Sequence, residues 1–386
     1  MKRKIFFLTG TRAEYDLLYP VLEAVNRTRG LRGEVIVSGA HLSPFHGMNI
    51  NEIVKDRVPV AGRIESLMAS ETPEGRAISF SNLFSGLTRM LSERRPDILV
   101  VAGDREEALA GALAGNFLGI HVAHIYGGDR CLASDIDEVF RPAISKLAHL
   151  HFTAAEKHKT RLIKMGEAPE TIWACGATGL DRLRKTPDLS DDVLNKKFGI
   201  DVKAPFFILI HHPTPTLNPA RSGEEIEEVL KGVLPLGYPV FCSYPNFDPG
   251  NIAIRSVIDA TKTKYANLIA YHNLSRDVFV ALYKRCAAIL GNSSSIVIEA
   301  GFLKKPGILI GPRQNLREVG SNVVRVAATA TAVRKTALSA LRDKSFLAKV
   351  KKCESLYGDG HSAERIAAIL KRVKLDAGLL RKTMIY

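Results

Sequence analysis

Short, wholly apolar runs alternate along the chain with longer stretches whose apolar residues recur every three or four positions. "KIFFLTG", "GEVIVSGAH", "DILVVAGD" and "IHVAHIYGG" are too short for helices and too continuous for half-exposed strands. Such runs fit strands covered on both faces, as in a parallel sheet, and each ends in a glycine-bearing turn. "DLLYPVLEAVNRT" and "REEALAGALAGNFLG" lie between them and carry helical spacing. Strand and helix in regular succession predict a doubly wound α/β sheet.

The pattern then restarts. "RKTPDLSDDVLNKKFGIDVKAP" is polar and carries two prolines. After it, "FFILIHHPTPT", "GYPVFCSYPN", "ANLIAYHN", "CAAILGN" and "PGILIGP" read as the strands of a second sheet. This predicts a first domain over residues 1–185, a break between 182 and 203, and a second domain over 203–360. The tail, 361–386, is helical by spacing and is expected to pack back on the first domain. Ligands of open α/β sheets bind beyond the carboxyl ends of the strands, so two facing sheets would place their strand-end loops around one cleft.

Composition narrows the class. The chain has 386 residues, 46% hydrophobic and 24% charged, which suits a globular protein of two domains. No apolar run approaches the ~20 residues of a membrane span. The start, "MKRKIFFLTGTRAEY", has only "IFFL" as its apolar part, so it reads as a buried strand rather than a signal peptide. A cytoplasmic location with no membrane partner is expected. Five scattered cysteines without a CxxC or a Cys/His cluster predict neither disulfides nor a zinc site, but core fillers. The net charge of +14 invites a nucleic-acid reading. The basic residues, however, alternate with acids on helix faces such as "AEKHKTRLIKMGE" and form no block with aromatics. They read as solvated faces with a preference for anionic ligands, and no nucleic-acid partner is expected.

The candidate chemistry lies just after the strands. In "LTGTRAEYDLL", Gly10 permits a tight turn before a helix expected to start at Glu14–Asp16. Its backbone N–H groups with Arg12 would suit an anion; an ordinary turn with a surface arginine fits equally. In "VVAGDREEA", Asp104 follows a strand directly and reads as a helix cap or as a general acid/base, the cap being slightly favoured. In "HIYGGDRCLASDIDEVFRPAISK", Asp129, Asp135, Asp137 and Glu138 crowd behind a diglycine, with Asp135 placed as a helix cap. Asp137 and Arg141 are four apart on one helix face. Four carboxylates exceed what a cap needs, so this loop reads as functional. His149 and His151, farther on, read as structural.

The second half offers His211 and His212, where Pro213 and Pro215 block a helix. A strand-end histidine is a proton-transfer candidate, or simply a hydrogen-bonded loop residue. In "GNSSSIVIEAG", one serine would suffice as an N-cap. Ser293, Ser294 and Ser295 with their backbone N–H groups would hold a diphosphate. Glu299, one turn deeper, would accept from a ribose diol; buried, it requires a partner. Neither GxGxxG nor a Walker A motif is present, so the diphosphate is not expected to be that of NAD or of P-loop ATP.

Taken in order, "LTGTRAEYDLL", "SGAHLSPFHG", "AGDREEAL", "HIYGGD", "DIDEVFRPAISKLAHLHF", "GATGLD", "GNSSSIVIEA" and "GPRQNLREVGSNV" resemble the UDP-N-acetylglucosamine 2-epimerase family. The similarity is to the hydrolysing branch of sialic, legionaminic and related nonulosonic acid pathways, and it spans nearly the whole chain. It implies the GT-B-like architecture, two Rossmann-like domains around a central cleft. The implied reaction is proton removal from C2 of the sugar, anti elimination of UDP to a 2-acetamidoglucal, and addition of water at C1. The products are the C2-inverted free sugar and UDP. By resemblance Asp104 and Asp137 match catalytic acids, and His212 matches the histidine near the leaving diphosphate. Arg12, Ser294 and Ser295 match diphosphate contacts, and Glu299 matches the ribose contact. Arg141, Arg313 and Gln314 match positions in the nucleotide-sugar cleft.

No metal or redox cofactor is implied, and a homodimer is the expected assembly. The chain departs from the family at three places. Tyr126 replaces the usual catalytic glutamate of "HIEGG", Pro142 replaces the histidine of "RHAI", and the loop before Asp137 is longer by about two residues. Asp129 or Tyr126 itself would have to take over the missing role, with Glu138 a further acid nearby. A GT-B glycosyltransferase and a nucleotide-sugar binding protein without turnover are the rival readings.

Overall fold

The computed structural model describes residues 2–44, 47–68, 70, 72–131, 136–214, 218–246, 248–383 and 385. They form two compact units. The first comprises Met1–Asp129, Ile136–Arg182 and Gly358–Tyr386. The second comprises Leu183–Tyr357 together with the segment that begins at Arg130.

In the first unit the described strands are β1 (Arg3–Thr9), β2 (Leu31–Ser38), β3 (Val60–Ile64), β4 (Ile98–Ala102), β5 (His121–Ile125), β6 (Leu150–Thr153) and β7 (Ile172–Ala174). Their order across the sheet is β3-β2-β1-β4-β5-β6-β7, and every pairing is parallel. In the second unit they are β8 (Phe207–Ile210), β9 (Val240–Ser243), β10 (Leu268–Tyr271), β11 (Ala288–Gly291), β12 (Gly307–Ile310) and β13 (Val323–Val326). The order there is β10-β9-β8-β11-β12-β13, again all parallel. Both are Rossmann-like sheets of the doubly wound kind, the two components of the GT-B-like class.

Burial explains the central strands. Ile5, Phe6 and Phe7 in β1 and Leu99, Val100 and Val101 in β4 are fully enclosed, because helices cover both faces of the sheet. The edges read differently. β3 ("VAGRI"), β7 ("IWA") and β13 ("VVRV") are short or mixed, since an edge strand has one neighbour and partial exposure. They escape a search for continuous apolar runs. In each unit the connections diverge between two neighbours, β1/β4 and β8/β11, which is where such folds bind ligands.

The tail helix Ser362–Arg372 lies against the helix Arg12–Arg27 within the first unit. Asp181 fixes its start by accepting from the N–H groups of Ser362 (3.0 Å) and Ala363 (2.8 Å). All five cysteines are buried free thiols. No helix among the described residues is long and apolar enough to cross a membrane.

Candidate functional site

The first unit gathers its chemistry beyond β1, β4 and β5. After β4, Gly103 takes a left-handed turn (φ +78°), which frees Asp104 from the strand. Asp104 is not the helix cap. Arg105 occupies that position without a side-chain capping bond, and the helix runs Glu106–Phe117. Asp104 instead accepts from Arg141, which reaches it from the helix Asp137–Leu147. The same guanidinium lies 3.7 Å from Asp129. His158 Nε2 lies 3.4 Å from the other oxygen of Asp129. Two carboxylates thus share one buried arginine, and a buried imidazole flanks the deeper one. Asp104 is the more open of the two acids, its side chain 21% exposed against 5% for Asp129.

The diglycine is required by close packing. A Cβ on Gly128 (φ +75°) would sit 2.4 Å from the carbonyl oxygen of His158. One on Gly127 would sit 2.9 Å from Ser145 Oγ and 3.0 Å from His124 Nδ1. Asp137 opens its helix and Glu138 follows in the first turn, both half-buried. Asp137 contributes to the field at Arg76. The ion pairs of Arg141 with Asp104 and Asp129 tie its helix to the strand ends rather than leaving it on the surface. Asp135, expected to cap the helix, and Pro215 lie outside the described residues.

Tyr126 sits in left-handed backbone (φ +70°) and is buried. Its hydroxyl lies 3.1 Å from Thr178 Oγ1, and Gly179 N–H donates to it at 3.5 Å. Burial pushes its pKa up to about 12.

The turn after β1 differs from the anion site considered from sequence. The helix starts at Arg12, not at Glu14–Asp16, with Thr11 as N-cap in a capping box. Glu14 accepts from the N–H groups of Gly10 (2.8 Å) and Thr11 (3.1 Å), so a carboxylate of the chain itself already holds these donors. Burial, and then Glu107, raise the pKa of Glu14. Gly10 is small because a Cβ there would lie 2.3 Å from Glu107 Oε1. Arg12 is half-exposed and pairs with Glu52 at 3.3 Å.

The second unit gathers its site beyond β8, β11 and β12, around Asn292. Gly291 (φ +121°) ends β11, where a Cβ would meet Ile210 O at 2.0 Å. Asn292 then clasps the end of β8. Its Oδ1 accepts from His212 N–H and its Nδ2 donates to His212 O, both at 2.7 Å. Its carbonyl accepts from Gln314 Nε2 at 3.1 Å. Asn246 N–H donates to His212 Nδ1 at 3.2 Å, so the neutral ring carries its proton on Nε2. Burial, then Arg313 and His211, lower the His212 pKa to about 3, which keeps the ring neutral. His211 is buried, 3.4 Å from Glu225.

Ser293 is the N-cap of the helix Ser294–Phe302 and accepts from Ser295 N–H at 3.3 Å. Ser294 is half-buried. Ser295 Oγ donates to Glu299 at 2.7 Å, the partner that the acid requires. Arg313 donates to Pro213 O at 3.1 Å and lies 3.6 Å from Asp248. The structure therefore brings His212, Ser293, Ser294, Ser295, Glu299, Arg313 and Gln314 to one end of the second sheet. At the corresponding end of the first it brings Asp104, Asp129 and Arg141.

Three contributors lay outside the sequence expectations. His158 sits in "AEKHKTRLIKMGE", read as a solvated face, yet it is fully buried. Asn292 was overshadowed by the serines after it. Glu14 read as part of a helix start, although the T-x-x-E spacing of Thr11 and Glu14 is the capping-box signal that finds it.

Comparison with known proteins gives the family. A family model described as UDP-N-acetylglucosamine 2-epimerase matches residues 23–371. UDP-N,N'-diacetylbacillosamine 2-epimerase (hydrolyzing) of Legionella pneumophila is 35% identical over 387 residues, covering 100% of both chains. GDP/UDP-N,N'-diacetylbacillosamine 2-epimerase (hydrolyzing) of Campylobacter jejuni is 30% identical over 84% of each. Among solved structures, the UDP-GlcNAc 2-epimerase of Neisseria meningitidis bound to UDP-GlcNAc superposes with a TM-score of 0.82 at 20% identity. That match covers 97% of this chain and 100% of that one. The chain belongs to the UDP-N-acetylglucosamine 2-epimerase family and is a nucleotide-sugar 2-epimerase of the hydrolysing type.

Proposed function

We propose that the protein converts a UDP-linked 2-acetamido sugar to the C2-inverted free sugar and UDP, by elimination and hydration. The observation that carries this reading is the sharing of Arg141 by Asp104 and Asp129 beyond β4 and β5. Asp104, the more open acid, takes the proton from C2. The C1–O bond breaks as the C1–C2 double bond forms, and the electron pair leaves with UDP. Water then adds its oxygen to C1, and C2 regains a proton on the opposite face. Asp137 is the second acid for these proton transfers, with Glu138 beside it. Asp129, enclosed by Arg141 and His158, sets the field at Asp104. Tyr126 stays protonated and supports the loop.

The second unit stabilises the leaving group. The neutral His212 offers Nε2–H to the diphosphate. The N-terminus of the helix Ser294–Phe302 offers backbone N–H groups together with Ser293 and Ser294. Arg313 adds positive charge, Gln314 orders the loop through Asn292, and Glu299 accepts from the ribose. Arg12, half-exposed beside Glu52, is a further diphosphate contact on this reading.

The names of the Legionella and Campylobacter relatives favour UDP-N,N'-diacetylbacillosamine as the sugar nucleotide, ahead of UDP-GlcNAc. Each is incubated with the enzyme in D2O and followed by proton NMR. The reading requires UDP, a free sugar of inverted C2 configuration, and deuterium at C2. UDP release without C2 deuterium would indicate simple hydrolysis and refute the elimination.

A further inference from the structure

Asp104 and Arg141 stand on different elements, so their encounter depends on how the turn after β4 is held against the helix Asp137–Leu147. A buried imidazole spans that junction. His124, in β5, is fully enclosed. Its Nε2 lies 2.8 Å from the carbonyl oxygen of Gly103, the residue before Asp104. Its Nδ1 lies 3.0 Å from Ser145 Oγ, one helical turn beyond Arg141. A carbonyl only accepts, so Nε2 carries the proton, and the neutral ring then accepts the Ser145 hydroxyl at Nδ1. Burial lowers the His124 pKa to about 3, so the ring stays neutral and the tautomer fixed at working pH. Gly127 leaves the space that the imidazole and the hydroxyl fill.

The far end of the helix is fixed as well. Lys382, from the tail, donates to the carbonyls of Ser145 (2.9 Å), Lys146 (2.8 Å) and Ala148 (2.6 Å). It also pairs with Glu167 at 2.5 Å. A cation here satisfies the last carbonyls and complements the negative end of the helix dipole. Lys382 thus anchors this helix independently of His124, so the Ser145 bond orients the imidazole and the Gly103 bond holds the Asp104 turn.

We propose that His124 is a positioning residue for the epimerase reaction: through its bond to Gly103, with Ser145 orienting the ring, it holds the Asp104 carboxylate at the separation from Arg141 that the chemistry uses. This rests on the proposed role of Asp104. The test compares two variants that each retain one of the two bonds. His124→Gln keeps a donor at the Nε2 position for Gly103. His124→Asn keeps an acceptor near the Nδ1 position for Ser145 and loses the Gly103 bond.

For His124→Asn we expect kcat to fall about 100-fold with KM within about twofold, the effect of displacing a catalytic group by about an ångström. For His124→Gln, kcat should stay within about tenfold of wild type at the same melting temperature as His124→Asn. Equal loss in both variants, or a loss confined to KM, overturns the proposal. Crystal structures of the two variants give a reading independent of turnover. Asp104 should part from Arg141 in His124→Asn and keep it in His124→Gln. An Asp104 that stays in place in both overturns the inference even where the enzyme is active. A wild-type protein inactive on every sugar nucleotide would refute the proposed reaction while these structures still decide the role of His124.

Discussion

Ser295 Oγ donates to Glu299 at 2.7 Å, one turn inside the helix Ser294–Phe302. The hydroxyl proton is therefore committed to the acid, and the Ser295 N–H to the N-cap Ser293, so Ser295 acts as an ordering residue. Burial raises the Glu299 pKa, and the Ser295 bond opposes that rise. Removing the hydroxyl in Ser295→Ala leaves the ionised carboxylate without its donor, at a cost of about 1–3 kcal/mol. A carboxyl group whose folded pKa exceeds its unfolded one stabilises the fold below the unfolded value, and that contribution is lost as pH rises through the folded value. The penalty of Ser295→Ala should thus be larger at pH 8 than at pH 4. Urea unfolding at the two values measures it, and an equal penalty at both would show that Glu299 does not depend on this bond.

Arg141 serves two acids, so its loss and theirs differ in kind. Asp104→Asn removes one charge from a cluster that retains Arg141 and Asp129, leaving the fold intact. With its base gone, the enzyme should lose about 10²–10⁴-fold in kcat. UDP affinity should stay unchanged, because Asp104 is not among the residues proposed to hold the diphosphate. Arg141→Met takes the guanidinium away from the buried Asp129, and breaking a buried pair costs about 3–5 kcal/mol. It should lower the melting temperature markedly as well as abolishing turnover. Calorimetry and UDP titration separate the two outcomes; a stable Arg141→Met protein would mean that Asp129 does not need the cation.

The parallel strands were legible because burial on both faces writes continuous apolar runs, as in "DILVVAGD" for β4. The edge strands β3, β7 and β13 were not, since partial exposure mixes their residues. The strand-end rule pointed to Asp104, Asp129, His212 and the serine turn, for the backbone alone dictates where a strand's last residues project. It did not tell that Asp104 would forgo the cap for Arg141, which depends on a helix dozens of residues later. His158 was hidden for a related reason. Its flanking charges make an exposed face, while His158 turns inward with Leu162 and carries the contact to Asp129. Ser295 could be assigned to phosphate from sequence only by leaving aside its neighbour at i+4, which claims the hydroxyl first.

Several imidazoles are held neutral by burial. His41 and His149 are lowered to about 4, and His124 and His212 to about 3. In the unfolded chain each takes up its proton near pH 6.5. A base whose folded pKa is depressed contributes stability above the unfolded value and loses it as pH falls toward the folded one. Stability should therefore decline from about pH 6.5 downward, each histidine contributing about 1.4 kcal/mol per pH unit between its two pKa values. Replacing His212 by Gln should make the slope of unfolding free energy shallower by about that amount between pH 6 and pH 4. An unchanged slope would indicate that His212 titrates in the native protein.

The bonds of Tyr126 say which role its phenol can play. Thr178 Oγ1 donates its proton to Leu17 O at 2.7 Å, so at 3.1 Å the Tyr126 hydroxyl must be the donor to Thr178. Gly179 N–H approaches the same oxygen. A phenol whose proton is committed inward, and whose pKa burial pushes up to about 12, is a poor base at neutral pH. Tyr126→Phe should therefore cost about 1 kcal/mol of stability and leave kcat within about tenfold of wild type. Tyr126→Glu should cost more stability, because it inserts a carboxylate against Thr178, whose proton already serves Leu17. A 1,000-fold fall in kcat for Tyr126→Phe at unchanged stability would instead make the phenol a proton-transfer group and shift the chemistry from Asp104 toward the diglycine loop.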